Sequence, residues 1–166
     1  MRNKIRNITH AAIIAALYVG LTHGQNMLLP GSASMTIQFR ASEALCVLAF
    51  FTPAAIPGLT IGCLLFNITS GTALPLDFFI GSLASFLAAL GIWLMRKGNP
   101  LPGLLMPVLT NGILVGWELS AYVGGAFWLN GIYVAIGEAA VLLTLGLGLY
   151  LALKKHRLHR RLFGAG

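Results

Sequence analysis

The chain has 166 residues, of which 57% are hydrophobic and only 9% are charged, and its mean hydropathy is +0.84. Soluble domains are about 45–50% apolar and about 25% charged, so this composition excludes an ordinary soluble domain and indicates an integral membrane protein. Eleven Lys and Arg residues against four Asp and Glu residues give a net charge of +7. Since no stretch has the composition of a soluble appendage, we expect residues 1–166 to form a single membrane domain.

Apolar runs separated by Pro, Gly and charged residues predict an all-α bundle of six transmembrane helices, because about 20 apolar residues cross the hydrocarbon core. A retained first helix is favoured over a cleaved signal peptide, since the downstream sequence is equally apolar. The second and third helices are short for full crossings and form a hairpin, which returns the chain to the same side. The predicted helices cover residues 8–29, 38–52, 54–70, 75–95, 103–121 and 127–153.

Basic residues orient the predicted bundle. With the N-terminus in the cytoplasm, every Lys and Arg except Arg40 falls in an inner segment, as the positive-inside rule requires. Both termini are therefore expected in the cytoplasm, with residues 154–166 as a basic tail. The KKHRLHRR cluster of that tail is typical of a juxtamembrane segment on anionic lipid, so we expect a membrane partner and no nucleic acid.

Arg40 and all four acidic residues fall in the opposite, outer half of this bundle. Ionisable side chains inside a membrane are costly, and by default they face the bundle interior or a water-filled cavity. A mutual i, i+3 ion pair at a helix start is one explanation for Arg40 and Glu43, and it leaves a ligand role open. Glu138 is harder to explain structurally, because it is a lone carboxylate within YVAIGEAAVLL.

Other polar residues on these helices have simpler explanations. Aromatic neighbours of Glu118 are typical of the interfacial belt, and Asp77 is also explained as a helix cap. Asn67 and Asn111 are each expected to form an interhelical hydrogen bond. The sequence shows no metal-ligand spacing, nucleophile constellation or GxxxxGK[ST] loop, so we predict no cofactor, no metal site and no catalytic residue.

The first helix carries a stripe of small residues within AAIIAAL. Pairs of alanines at i, i+4 allow another helix to approach closely, which makes this stripe the best candidate for an external partner surface. Two glycine pairs with the same spacing, on the third and fifth helices, are expected to serve packing inside the bundle. The alanine stripe comprises Ala11, Ala12, Ala15 and Ala16.

Five longer segments, which follow in family order over about residues 8–153, carry a family resemblance. They are IQFRASEALCVLAFF, PAAIPGLTIGCLLFNI, LDFFIGSLASFLAAL, LTNGILVGWEL and FWLNGIYVAIGEAAVL. The chain resembles the QueT family, substrate-binding S components of energy-coupling factor (ECF) vitamin transporters. The resemblance implies a subunit of a prokaryotic plasma membrane that binds queuine, or 7-cyano- or 7-aminomethyl-7-deazaguanine, from outside. It also implies a membrane coupling protein, contacted by the alanine stripe, and two cytoplasmic ATPases as partners.

The chemistry of a deazaguanine fits the outer polar residues. A carboxylate can accept the N–H donors of the pyrimidine edge, an arginine or amide can donate to the carbonyl, and an aminomethyl cation would occupy a second carboxylate. Four aromatic side chains are candidates for stacking on the ring: Phe39, Trp117, Tyr122 and Trp128. Ranked by predicted depth and polarity, the candidate ligand contacts are Glu138, Glu43, Asn111, Arg40, Glu118, Asn67, Gln38 and Asp77.

The expected mechanism is substrate capture without ATP hydrolysis by this chain. The loop around residues 24–40 is expected to close over the substrate, and the resemblance implies that the ATPase partners then tip the subunit. The alternative is an S component for another vitamin, such as riboflavin, thiamin or biotin. An intramembrane enzyme using Glu43, Glu138 and a cavity water is less favoured, because no nucleophile or metal set accompanies them.

Overall fold

A computed structural model describes residues 2–30, 32, 38–71, 74 and 76–163, and all regular secondary structure in these residues is helical. The all-α prediction is therefore confirmed. α5, the π-helical turn and α6 follow without a break and form one long helix. The elements are α1 (Arg2–Leu28), a 3-10 helix (Ala41–Phe50), α2 (Ala55–Thr69), α3 (Asp77–Met95), α4 (Pro100–Tyr122), α5 (Phe127–Val141), the π-helical turn (Leu142–Gly146), α6 (Leu147–Lys155) and α7 (Leu158–Phe163).

Within the described residues, four helices are long and apolar enough to cross a membrane: α1, α3, α4 and the continuous α5–α6 helix. The 3-10 helix and α2 are shorter apolar helices. At their respective rises per residue each reaches roughly 20 Å, whereas the hydrocarbon core is about 30 Å thick. The prediction of a bundle of membrane-spanning helices thus holds. The six full crossings and the cytoplasmic location of both termini stay predictions.

Two helix starts differ from the sequence expectation. α1 begins at Arg2 rather than at residue 8, because Lys and Arg are good helix formers and extend the helix beyond its apolar part. The second helix begins at Ala41 rather than at residue 38, since Arg40 is extended, with φ −104° and ψ 101°. The remaining predicted boundaries lie within a few residues of the observed ones.

The predicted basic tail contains a further helix, α7, which follows a turn at residues 156–157. This helix returns to the bundle. Its Phe163 ring packs edge-on against His10 of α1, with centroids 5.3 Å apart, and His159 stacks on Phe51 at 5.0 Å. The tail is therefore packed against the bundle as far as residue 163, and residues 164–166 lie outside the described residues.

The 3-10 helix occupies the centre of the bundle and contacts each of the helices from α1 to α6. Every residue from Ser42 to Phe50 is buried, which explains why this segment is apolar on all faces. Leu59, Ile92 and Leu104 pack in the same core. This central position matters for function, because the first turn of the 3-10 helix and the residues before it lie among the ends of several helices.

Glycine pairs bring neighbouring helices close together, as expected. Gly58 and Gly62 of α2 face α1, and Gly112 and Gly116 of α4 face Gly131 of α5, with little or no room for a Cβ at each position. Close backbone approach of this kind is typical of helix packing in membranes.

Candidate functional site

The candidate ligand contacts gather at one end of the bundle, where α1, α2 and α4 end and α3 and α5 begin. All of them are buried, with exposed fractions between 0 and 5%. They come from the extended segment before the 3-10 helix, the first turn of that helix, and α2 to α5. The structure thus brings together Gln38, Arg40, Glu43, Asn67, Asp77, Asn111, Glu118 and Glu138.

Glu43 is held by donors on both of its oxygens. The Tyr18 hydroxyl of α1 donates to Oε1, and the Cys46 thiol donates to Oε2 with a sulfur–oxygen distance of 3.1 Å. Beside this contact, the Thr22 and Ser42 hydroxyl oxygens are 2.7 Å apart. These bonds fix the Glu43 carboxylate between α1 and the central helix.

Sequence reasoning missed the contribution of α1 to this site. Tyr18, Thr22 and Gln25 recur at i, i+4 and i+7, so they lie on one face of an otherwise apolar helix. That spacing is a signal of a polar face turned to the bundle interior. Gln25 accepts a hydrogen bond from the backbone N–H of Ala41 at 2.7 Å, and its amide donates to the carbonyl of Phe39. The end of α1 therefore anchors the extended segment.

Arg40 forms an ion pair with Asp77 of α3, with Nη2 3.8 Å from Oδ2. Its Nη1 lies 3.9 Å from the Cys63 sulfur, and its guanidinium is 5.7 Å from the centroid of the Phe66 ring. Arg40 thus has an ion-pair partner other than Glu43 at i+3, because Arg40 is extended rather than helical and reaches across the bundle. The pair connects the segment before the central helix to the start of α3.

The two asparagines make the interhelical hydrogen bonds expected for them. Asn67 of α2 donates to the backbone carbonyl of Asp77 at 2.7 Å. Asn111 of α4 donates to Oε1 of Glu138 on α5 at 2.8 Å. Among the described residues, neither Asn67 Oδ1 nor Glu138 Oε2 has a hydrogen-bond partner. Each pair thus supports the packing and still presents a buried acceptor.

Glu118 of α4 is fully buried, and neither of its carboxyl oxygens has a hydrogen-bond partner among the described residues. Asp77 lies within interaction distance of it. Two ionised carboxylates can only accept hydrogen bonds, so Asp77 supplies no donor to Glu118 in that state. When both groups are ionised Glu118 is therefore without a donor, whereas a proton shared with Asp77 would bond the two carboxyl groups to each other.

Gln38 packs its backbone against α5. A Cβ at Gly137 would overlap the carbonyl oxygen of Gln38, so this position requires a glycine for the close approach. Gln38 is thereby placed beside Glu138 on the next position of α5. Of the loop expected to close over a substrate, residues 31 and 33–37 lie outside the described residues.

The four aromatic side chains considered for stacking are exposed rather than buried with the polar cluster. Phe39, Trp117, Tyr122 and Trp128 have exposed fractions between 45 and 64%. Trp128 lines a shallow apolar groove between α4 and α5. Such positions are typical of rings at a membrane interface, so this structure does not place these rings on a ligand.

The alanine stripe lies on a groove of about 630 Å³ between α1 and α2, which extends toward the opposite end of the bundle. Ala12 and Ala16 are exposed in it, whereas Ala15 is buried against Gly62. One row of the stripe therefore packs within the bundle and the other faces outward. The groove is lined by Asn7, Ile8, Ala11, Ala12, Ala15, Ala16, Pro53, Ala54, Pro57, Ile61 and Leu65.

The polar cluster is built from carboxylates, amides, hydroxyls and one guanidinium. In the described part of the chain, no three His, Cys, Asp or Glu side chains are grouped to hold a metal ion. This arrangement can offer several buried hydrogen-bond acceptors and a hydrogen-bond donor to a small polar molecule.

Comparison with protein-family models matches residues 8–155 to the family described as QueT transporter. The chain belongs to the QueT transporter family. It is also similar to the queuosine precursor transporter QueT of Lactococcus lactis subsp. cremoris (strain MG1363), with 38% identity over 100 residues. That match covers 58% of this chain and 55% of the relative, so the matched part spans about half of the relative's length. No solved structure matches the chain.

Membership of this family confirms the prediction made from the sequence segments. A transporter family and several membrane-length apolar helices describe a multi-pass protein of the plasma membrane. The family is one of transporters, so the expectation that the chain is not an enzyme is confirmed at the level of the family.

Proposed function

We propose that the chain is the substrate-capture S component of an ECF importer and binds a queuosine precursor from the outside. The candidate substrates are queuine and 7-cyano- or 7-aminomethyl-7-deazaguanine. Family membership and the name of the similar Lactococcus protein support the substrate class. With the orientation predicted from the basic residues, the polar cluster lies at the outer end of the bundle, where a substrate would arrive.

The observation that carries this proposal is the group of buried acceptors that have no partner among the described residues. They are both oxygens of Glu118, one oxygen of Glu138 and the amide oxygen of Asn67. An unsatisfied buried polar group costs about 1–3 kcal/mol, and more when it is charged. A bound molecule that supplies donors removes this cost, and a deazaguanine supplies several N–H groups.

Within this proposal, the role of each residue depends on how many of its polar atoms already have a hydrogen-bond or ion-pair partner in the protein. Glu138, together with Asn111, binds the pyrimidine edge, and Asn67 accepts from a ring N–H. Glu43 has donors on both oxygens and Arg40 is paired with Asp77, so Glu43 and Arg40 chiefly position the others. Gln38 contributes a further ligand contact from the segment that packs on α5.

Mass spectrometry of small molecules released from the purified chain tests the substrate directly. We expect a 7-deazaguanine, and added deazaguanine should raise the thermal stability. At about 100 times its dissociation constant a ligand stabilises the folded protein by roughly 2.7 kcal/mol. A shift with riboflavin, thiamin or biotin and none with any deazaguanine would contradict the substrate and retain the S component.

The groove between α1 and α2 is the proposed contact for the membrane coupling protein, which works with two cytoplasmic ATPases. Ala16→Leu places a larger side chain in the groove and should block assembly and uptake, while deazaguanine binding by the chain alone is kept. Ala140→Leu is the matched control, because Ala140 is also an exposed helical alanine but lies outside the groove. Normal uptake by the Ala16→Leu complex would contradict this contact.

A further inference from the structure

The buried polar cluster carries more acidic than basic groups. Among the described residues it contains the carboxyl groups of Glu43, Asp77, Glu118 and Glu138 and the guanidinium of Arg40, all of them less than 5% exposed. Glu43 interacts electrostatically with Glu138, and Asp77 with Glu118, while Arg40 interacts with both pairs. One guanidinium cannot balance four carboxylates, so the excess has to be met by protons or by a bound cation.

The acidic groups differ in how far the protein itself satisfies them. Glu43 has donors on both oxygens and Glu138 has one on Oε1, whereas Asp77 is paired with Arg40. Glu118 has no donor on either oxygen among the described residues, although it is fully buried. An alkylammonium group brings a positive charge and up to three N–H donors, which is what Glu118 lacks, and the adjacent Asp77 can accept from the same group.

We propose, resting on the function proposed above, that Glu118 and Asp77 form an ammonium subsite and that the protein therefore selects cationic deazaguanines. The 7-aminomethyl compound and queuine each carry an amine that is protonated at neutral pH, whereas the 7-cyano compound is neutral. The first two are favoured substrates and the nitrile is disfavoured.

The positions along α4 fit a ligand held at two levels. Asn111 and Glu118 lie two helical turns apart on the same face of α4, a separation of roughly 10 Å along the axis. Asn111 is hydrogen-bonded to Glu138, so the ring-binding pair lies at the deeper level and Glu118 lies nearer the end of the helix. The 7-substituent of a deazaguanine is on its five-membered ring, remote from N1 and the 2-amino group, so a ring bound by Glu138 leaves its aminomethyl arm free to reach Glu118.

The test measures dissociation constants of the purified chain by isothermal titration calorimetry for 7-aminomethyl- and 7-cyano-7-deazaguanine. A charge-assisted contact should favour the aminomethyl compound by roughly ten- to a hundredfold. Glu118→Gln, which keeps the size and removes the charge, should reduce this ratio to within about threefold, mainly because the aminomethyl compound binds more weakly. Asp77→Asn is the second variant, used if the first is not recovered folded.

Elution and a melting temperature like those of the wild type serve as the control for folding. Equal affinities of the wild type for the two compounds would overturn the ammonium subsite and leave the proposed function intact. An unchanged ratio in the variant that is recovered folded would do the same. Failure of the wild type to bind either compound would instead overturn the proposed function.

Discussion

Gly137 of α5 provides a test of how the site is held together. A Cβ at this position would lie 3.0 Å from the carbonyl carbon of Gln38 and 3.2 Å from its nitrogen, and closer still to its oxygen. Backbone atoms cannot rotate away as a side chain end can. In Gly137→Ala, the segment that carries Arg40 therefore has to move away from the helix that carries Glu138.

The expected magnitude follows from two opposing effects. Overpacking of a tight contact costs about 1–3 kcal/mol, and contact with backbone places Gly137 at the upper end. The gain in helix propensity from Gly to Ala returns up to about 1 kcal/mol. We expect a net loss of about 2 kcal/mol in stability and, since 1.4 kcal/mol corresponds to a factor of ten, at least about a tenfold loss of deazaguanine affinity.

Gly148→Ala is the matched control, because Gly148 lies on the same continuous helix and a Cβ there has nothing within 4 Å. This variant should bind normally and be as stable as the wild type or slightly more so. Thermal unfolding in detergent and isothermal titration calorimetry measure both effects. If Gly137→Ala matched Gly148→Ala in melting temperature and affinity, the extended segment would not be fixed against α5 and the reasoning would be refuted.

Two further substitutions test individual hydrogen bonds. Tyr18→Phe removes the donor to Glu43 and should lower the stability by about 1–3 kcal/mol. Tyr150→Phe, at the other end of the bundle, is the control and should change the stability little. Equal shifts of the two variants in thermal unfolding would contradict the role of Tyr18. Asn111→Asp replaces the amide that donates to Glu138 by a second carboxylate, so affinity for every deazaguanine should fall at least about tenfold. Wild-type affinity in a calorimetric titration of Asn111→Asp would show that this pair does not contact the ring.

The fold class could be predicted because the apolar runs that determine it are visible in short stretches of the sequence. Long apolar runs must become helices in a membrane, since all backbone polar groups have to be satisfied within the segment. The approximate boundaries of α2 to α4 followed from the Pro, Gly and charged residues that separate the apolar runs. The 3-10 geometry of Ala41–Phe50 could not be predicted in this way, because it depends on packing with the surrounding helices.

Sequence reasoning could predict which residues lie in the candidate site but not which of them contact each other. Charged and amide residues within apolar helices are costly, so each of them indicated the bundle interior before any contact was known. Sequence proximity favoured Arg40 with Glu43, whereas the backbone before the central helix directs Arg40 to Asp77. Tyr18 was overlooked, because a tyrosine in an apolar run is equally compatible with a position facing lipid.

α1 contributes to the proposed substrate site and to the proposed partner groove through different faces and at different levels. Toward its C-terminal end Tyr18, Thr22 and Gln25 bond to the central helix and the segment before it. Toward its N-terminal end the exposed alanines, Ala12 and Ala16, face the groove and make none of these bonds. Because the polar contacts arise from the buried face of α1, a bulky residue on the groove face leaves them in place. The proposed substrate site and the proposed partner contact can therefore be tested one at a time by substitution.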